Sequence, residues 1–133
     1  MTWLRVPVAI FALVHGLGHA IWFAGAWIPR TGLVTDRPWI LPGEVTIESP
    51  LGKVLGLLSL AALVGFAAAA FALFTEEGWW RPTLMASSAV SLVAVVPWWR
   101  SSPGTTALNA ALADVGLFVF ALLPVAEDLI DAA

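Results

Sequence analysis

The stretch VPVAIFALVHGLGHAIWFAGAWIP, residues 6–29, decides how this chain is read. It holds no Asp, Glu, Lys or Arg, and only His15 and His19 interrupt its apolar run. As a helix rising ~1.5 Å per residue it is long enough for the ~30 Å hydrocarbon core of a bilayer. Backbone polar groups in hydrocarbon must be satisfied within the segment, so such a run is a helix.

Three further charge-poor runs follow, and the expected spans are 6–28, 51–75, 82–99 and 106–126, with Asp114 inside the last. The composition agrees. Of 133 residues 60% are apolar and 11% charged, with a mean hydropathy of +0.91, whereas a soluble domain carries about a quarter charged residues. The expected fold is all-α: an integral membrane four-helix up-down bundle, one domain over 1–133, with a long ordered loop between helices 1 and 2. A net charge of −3 without a basic cluster excludes nucleic acid as a partner. The absence of Cys excludes disulfides, thiolate metal sites and Cys catalysis.

Local signals mark the helix ends. Ser49-Pro50 reads as an N-cap followed by proline at the first helical position, and Pro103-Gly104-Thr105-Thr106 breaks the chain before span four in the same way. Trp3, Trp79 and Trp80 are expected at one membrane interface and Trp27, Trp98 and Trp99 at the other, as anchoring belts. Arg5 before an apolar stretch, and Ala24-Gly25-Ala26 after it, resemble a signal peptide. Two His within the apolar region argue instead for a retained span.

Four spans place both termini and the Glu76–Arg81 turn on one side. That side carries Arg5 and Arg81, and the other carries Arg30, Arg37, Lys53 and Arg100. The positive-inside rule then favours a cytoplasmic long loop and external termini. The connection 28–49 spends Ile, Trp and Pro residues that a free linker rarely uses, so it is expected to fold back over the bundle. Its segment Asp36-Arg37-Pro38-Trp39-Ile40-Leu41-Pro42-Gly43-Glu44 reads as a lid, or alternatively as an interfacial hairpin. Glu48 beside the cap compensates the helix dipole.

Ionisable residues inside spans are the default functional candidates. His15 and His19 share a helix face with Trp22, and Gly16 and Gly18 permit close approach of a helix or ligand. Counting residues inward puts His19 and Asp114 both at ~12 Å, with Ser59 at a similar ~12 Å and Ser91 at ~10 Å. Asp114 is therefore expected to meet His19 first and His15 second. His15, His19, Asp114, Trp22, Ser59 and Ser91 form the expected ligand-binding layer, approached by a hydroxyl stripe of Thr83, Ser87 and Ser91. The competing structural readings are helix-contact packing for the serines and an Asp–His clamp for the ionisable group.

As a metal set, His15, His19 and Asp114 supply three ligands, but Gly16 stands where a metalloprotease helix has its Glu, so no metal is expected. Two His on one helix face cannot ligate one haem from both sides, which leaves only a haem-bridged dimer. No cofactor is identified.

Arg5, then His15-Gly16 in the first of four spans, resembles the opening of DoxX-like membrane proteins. That resemblance implies a small four-helix bundle. It also implies association with oxidoreductase complexes, some of which reduce quinone. This chain has Gly18-His19 where that family usually has a basic residue soon after its His-Gly. His-Gly-Leu-Gly-His and Asp-Arg-Pro-Trp also resemble motifs of small prokaryotic four-span proteins, which implies a prokaryotic cytoplasmic membrane.

Two function classes follow. In one, the chain is an accessory subunit binding a small hydrophobic molecule such as a quinone, isoprenoid or lipid, alone, as a homo-oligomer or within a larger membrane complex. In the other, it is an enzyme using His/Asp acid–base chemistry on a lipid-like substrate, with Trp22 stabilising a cationic intermediate. A purely structural membrane protein is the third reading.

Overall fold

The computed structural model describes residues 4–28, 32–35, 40–41, 45–100 and 106–131. Every element among them is helical: α1 (Arg5–Gly18), α2 (Ala20–Trp27), α3 (Pro50–Phe74), α4 (Trp80–Val95), a 3-10 turn (Val96–Trp98), α5 (Thr106–Leu122) and α6 (Val125–Asp131). Two helices are long and apolar enough to cross a membrane: Arg5–Trp27, taken through His19, and α3.

Helix ends follow local chemistry. Ser49 caps α3, its Oγ accepting from the Gly52 amide at 3.2 Å while donating to the Thr46 carbonyl at 2.6 Å, and Pro50 opens the helix. The expected third span starts two residues earlier, at Trp80, and its α-helix stops at Val95, where Pro97 turns the chain into the 3-10 turn. The expected fourth span also shortens. Pro124 has no amide proton and its ring blocks helix continuation, so α5 ends at Leu122 and α6 begins at Val125. The first span is interrupted at His19, whose amide bonds Gly16 O at 3.0 Å, a tighter turn in the glycine-containing segment. Of the expected break at Pro103-Gly104-Thr105-Thr106, the first three residues lie outside the described residues and Thr106 opens α5.

α3 packs on α1–α2 and on α4, and α4 packs on α5. Many of the buried side chains are small, among them Ala9, Ala12, Ala62, Ala69, Ala94, Ala111 and Ala121, and they pack beside larger ones such as Phe66, Leu73, Leu84 and Trp98. Many other large apolar side chains are exposed, including Ile10, Val14, Val64, Phe71, Val93, Leu112 and Val119. Gly16 is one reason α1 and α3 come so close, because a Cβ there would stand 2.7 Å from Phe66 Cβ.

Two of the expected interface tryptophans are core residues instead. Trp80 is buried in a cluster of side chains from α1, α3, α4, α5 and α6, its ring beside Phe120, and Trp98 packs with Trp22, Ile47 and Val95. Each falls on the inward face of its helix end, and facing outweighs position along the axis. Trp79 and Trp27 are exposed, Trp99 is half-buried, and Trp3 lies outside the described residues. In the long connection Val34, Leu41, Val45 and Ile47 pack against the cluster around Trp22 and Trp98. Asp36–Trp39 and Pro42–Glu44 of the expected lid lie outside the described residues.

At the other end, arginines clamp the helix termini. Arg5 is buried, donating to Ile130 O at 3.3 Å and pairing with Glu76 at 2.5 Å. Arg81 donates to Ala121 O at 2.5 Å and Leu122 O at 3.1 Å and pairs with Glu127 at 2.6 Å.

Candidate functional site

α1 and α5 touch only sparsely, and the space between them is a cleft of about 370 Å³. Its inner wall is polar. His15 and His19 lie there, one turn apart on the same face, with Trp22 a further turn along and Val34 closing the end nearer the long connection. Its rim is apolar, since Phe11, Val14 and Ile21 line the cleft and are exposed on the outside of the molecule.

Behind that wall α5 contributes Asp114, whose relative exposure is 0%. A carboxylate so placed needs donors. It has two: His15 Nε2 lies 2.7 Å from Oδ1, and Ser91 of α4 donates its hydroxyl to Oδ2 at 2.5 Å. Ser91 Oγ also lies 3.0 Å from His19 Nε2. Three helical segments and the His19 junction thus join in one chain, His15–Asp114–Ser91–His19.

The expected order of partners is reversed. Asp114 meets His15 directly and reaches His19 only through Ser91. Equal residue counts from the helix ends would match depths only if the helices began in one plane, and a single turn of offset is ~5.4 Å. Ser91, placed on the inward face of α4, fills the remaining gap.

Ser59 is buried at a comparable level, but its hydroxyl donates to Leu55 O at 3.2 Å in its own helix. It packs near Trp22 and Trp98 and has no contact with the His/Asp chain among those seen. The hydroxyl stripe likewise turns inward on α4, as Thr83 bonds Trp79 O and Ser87 bonds Thr83 O. Only Ser91 of that stripe joins the site.

Three residues had drawn no attention in the sequence. Phe66 of α3 floors the site, stacked on His19 at 5.8 Å and edge-on to His15 at 4.9 Å. Nothing in an apolar run marks one Phe among its neighbours. Asn109 lines the cleft, and an amide five residues before Asp114 within an apolar run is a usable signal. Ser88 is fully buried and its hydroxyl has no partner, as is true of His19 Nδ1.

Chemically, the wall can present a His oriented by a buried carboxylate, whose second ring nitrogen is an acceptor in the neutral form, beside an aromatic surface and an apolar slot. Such an Asp–His pair fixes the orientation of the imidazole. One donor atom from each of His15, His19 and Asp114 also lies within 4.8 Å of the others. The chain matches no protein family, no curated protein and no solved structure.

Proposed function

We propose that the chain is a multi-pass membrane protein, a four-helix bundle of α1–α2, α3, α4 and α5, that binds a small hydrophobic ligand in the cleft between α1–α2 and α5. The ligand class is a quinone, isoprenoid or lipid, and the role is that of an accessory or redox-associated subunit. The DoxX-like opening of α1 belongs to the same reading.

The arrangement of side-chain sizes supports the membrane setting. In lipid, helices gain little by hiding large apolar side chains, and close packing of small residues holds them together. An interior rich in alanine, with a few larger side chains such as Phe66 and Leu84, and an outside rich in Ile, Val, Leu and Phe fit that solvent. The α4 helix with its 3-10 turn then spans ~30 Å.

One observation carries the ligand reading: a cleft of about 370 Å³ has an exposed apolar rim and a His15/Asp114 pair at its inner wall. Ligand sites are commonly apolar cavities with a few converging polar groups. A molecule dissolved in lipid enters past Phe11, Val14 and Ile21 and places its polar end against His15.

Native mass spectrometry of the protein released from lipid nanodiscs tests this. We expect a retained quinone, isoprenoid alcohol or lipid at one per chain, lost in Gly18→Leu. Gly18 lines the cleft and a Cβ there meets nothing within 4 Å, so the added side chain fills the slot without disturbing helix packing. Failure of a ubiquinone analogue, an isoprenoid alcohol and a phospholipid to be retained by the wild type would sink the reading. The Asp114–His15 pair also favours a second reading, acid–base catalysis on the same ligand. Product formation that is lost in Asp114→Asn while the ligand stays bound would select it.

A further inference from the structure

We propose that His15, His19 and Asp114 bind one divalent first-row transition metal ion, zinc or ferrous iron, at the inner wall of the cleft. The inference stands on these side chains and does not require the hydrophobic ligand. One donor atom from each residue lies within 4.8 Å of the other two. Two imidazoles and one carboxylate are a donor set that both ions accept in sites that keep open positions.

The second support is the proton inventory of the network. A serine hydroxyl has a single proton. Ser91 donates it to Asp114 Oδ2, so toward His19 Nε2 it can only accept. Neutral His19 therefore carries its proton on Nε2 and a lone pair on Nδ1. That Nδ1 is buried without a partner. Buried polar atoms are nearly always bonded, and an exception calls for an explanation. A metal ion supplies one by taking the lone pair.

The surrounding bonds suit that role. Ligating imidazoles usually donate their other N–H to a fixed acceptor, and ligating carboxylates are themselves held by donors. Ser91 does both, accepting from His19 and donating to Asp114. His15 frees its Nε2 lone pair by moving its ring proton to Nδ1, so no proton is gained or lost in the neutral state. His15 and His19 both line the cleft, so the remaining coordination positions face it and take an oxygen of whatever occupies the slot.

The test uses full-length protein in nanodiscs, stripped with a chelator and titrated with Zn²⁺ alone, and anaerobically with Fe²⁺ alone. We expect one ion per chain. His15→Ala and His19→Ala should each abolish stoichiometric uptake, and Ser91→Ala, which removes only the outer partner, should weaken it about 10–100-fold. X-ray absorption of the zinc-loaded wild type should count two imidazoles, a readout that does not depend on any variant folding. No saturable uptake of either ion, or an absorption spectrum with fewer than two imidazoles, overturns the proposal. Cleft occupancy in the same samples is scored by native mass spectrometry, so loss of the metal reading leaves the ligand reading separately decided.

Discussion

Asp114 is the residue on which the polar interior depends, because its two oxygens hold Ser91 and His15 at once. Asp114→Ala takes the acceptor away from both Ser91 and His15, and leaving a buried polar group unsatisfied costs about 1–3 kcal/mol. Asp114→Asn keeps an acceptor for Ser91 and an N–H for His15, so it should retain most of that stability. Chemical unfolding in detergent compares the two, and equal losses would mean that charge, not hydrogen bonding, holds the site. The two glycines differ just as sharply. Gly16→Ala pushes a methyl against Phe66 and should destabilise by about 1–3 kcal/mol. Gly18→Ala meets open space and should be neutral or stabilising by up to about 1 kcal/mol, since Ala is the better helix former. Spacing alone revealed that both glycines permit close approach. Which one faces a helix and which faces a cleft depends on α3 and α5, and neither is visible in a five-residue motif.

At the scale of elements, the ends of α5 and α6 are held by one side chain. Arg81 bonds the carbonyls of Ala121 and Leu122, two groups of the last turn of α5 that lack helical partners, and it reaches Glu127 in α6. Arg81→Ala should destabilise by about 1–3 kcal/mol through those unpaired acceptors. Hydrogen exchange should rise first in α6 and the last turn of α5. Arg81→Lys should not rescue, because a single ammonium cannot reproduce the planar fork. Unchanged exchange in Arg81→Ala would refute the clamp. In the sequence Arg81 was only a surface charge near a turn. Ser49-Pro50, by contrast, was legible as a helix start, because capping is a contact among neighbours in the chain. Pro97 and Pro124 were equally visible as breakers, yet hydropathy carried the expected spans across both.

For the whole molecule, the predicted orientation has the long connection cytoplasmic and the termini external. Basic residues favour the side of the connection four to two. The two on the terminal side, Arg5 and Arg81, are moreover engaged with Glu76 and Glu127. With no native Cys, an impermeant thiol reagent on intact cells should label a cysteine appended to the C-terminus and spare Thr35→Cys. Labelling of Thr35→Cys alone would reverse the orientation. By itself the sequence determined the helical class, the apolar runs and the cap of α3, along with the residue types that share an interior. Those properties depend on composition and near neighbours. Only tertiary structure decided that Asp114 pairs with His15 and not His19, that Ser91 bridges while Ser59 turns back on its own helix, and that Trp80 and Trp98 are core. The offset and rotation of one helix against another come from packing small side chains across the interface, so they are properties of pairs of helices and not of any one segment.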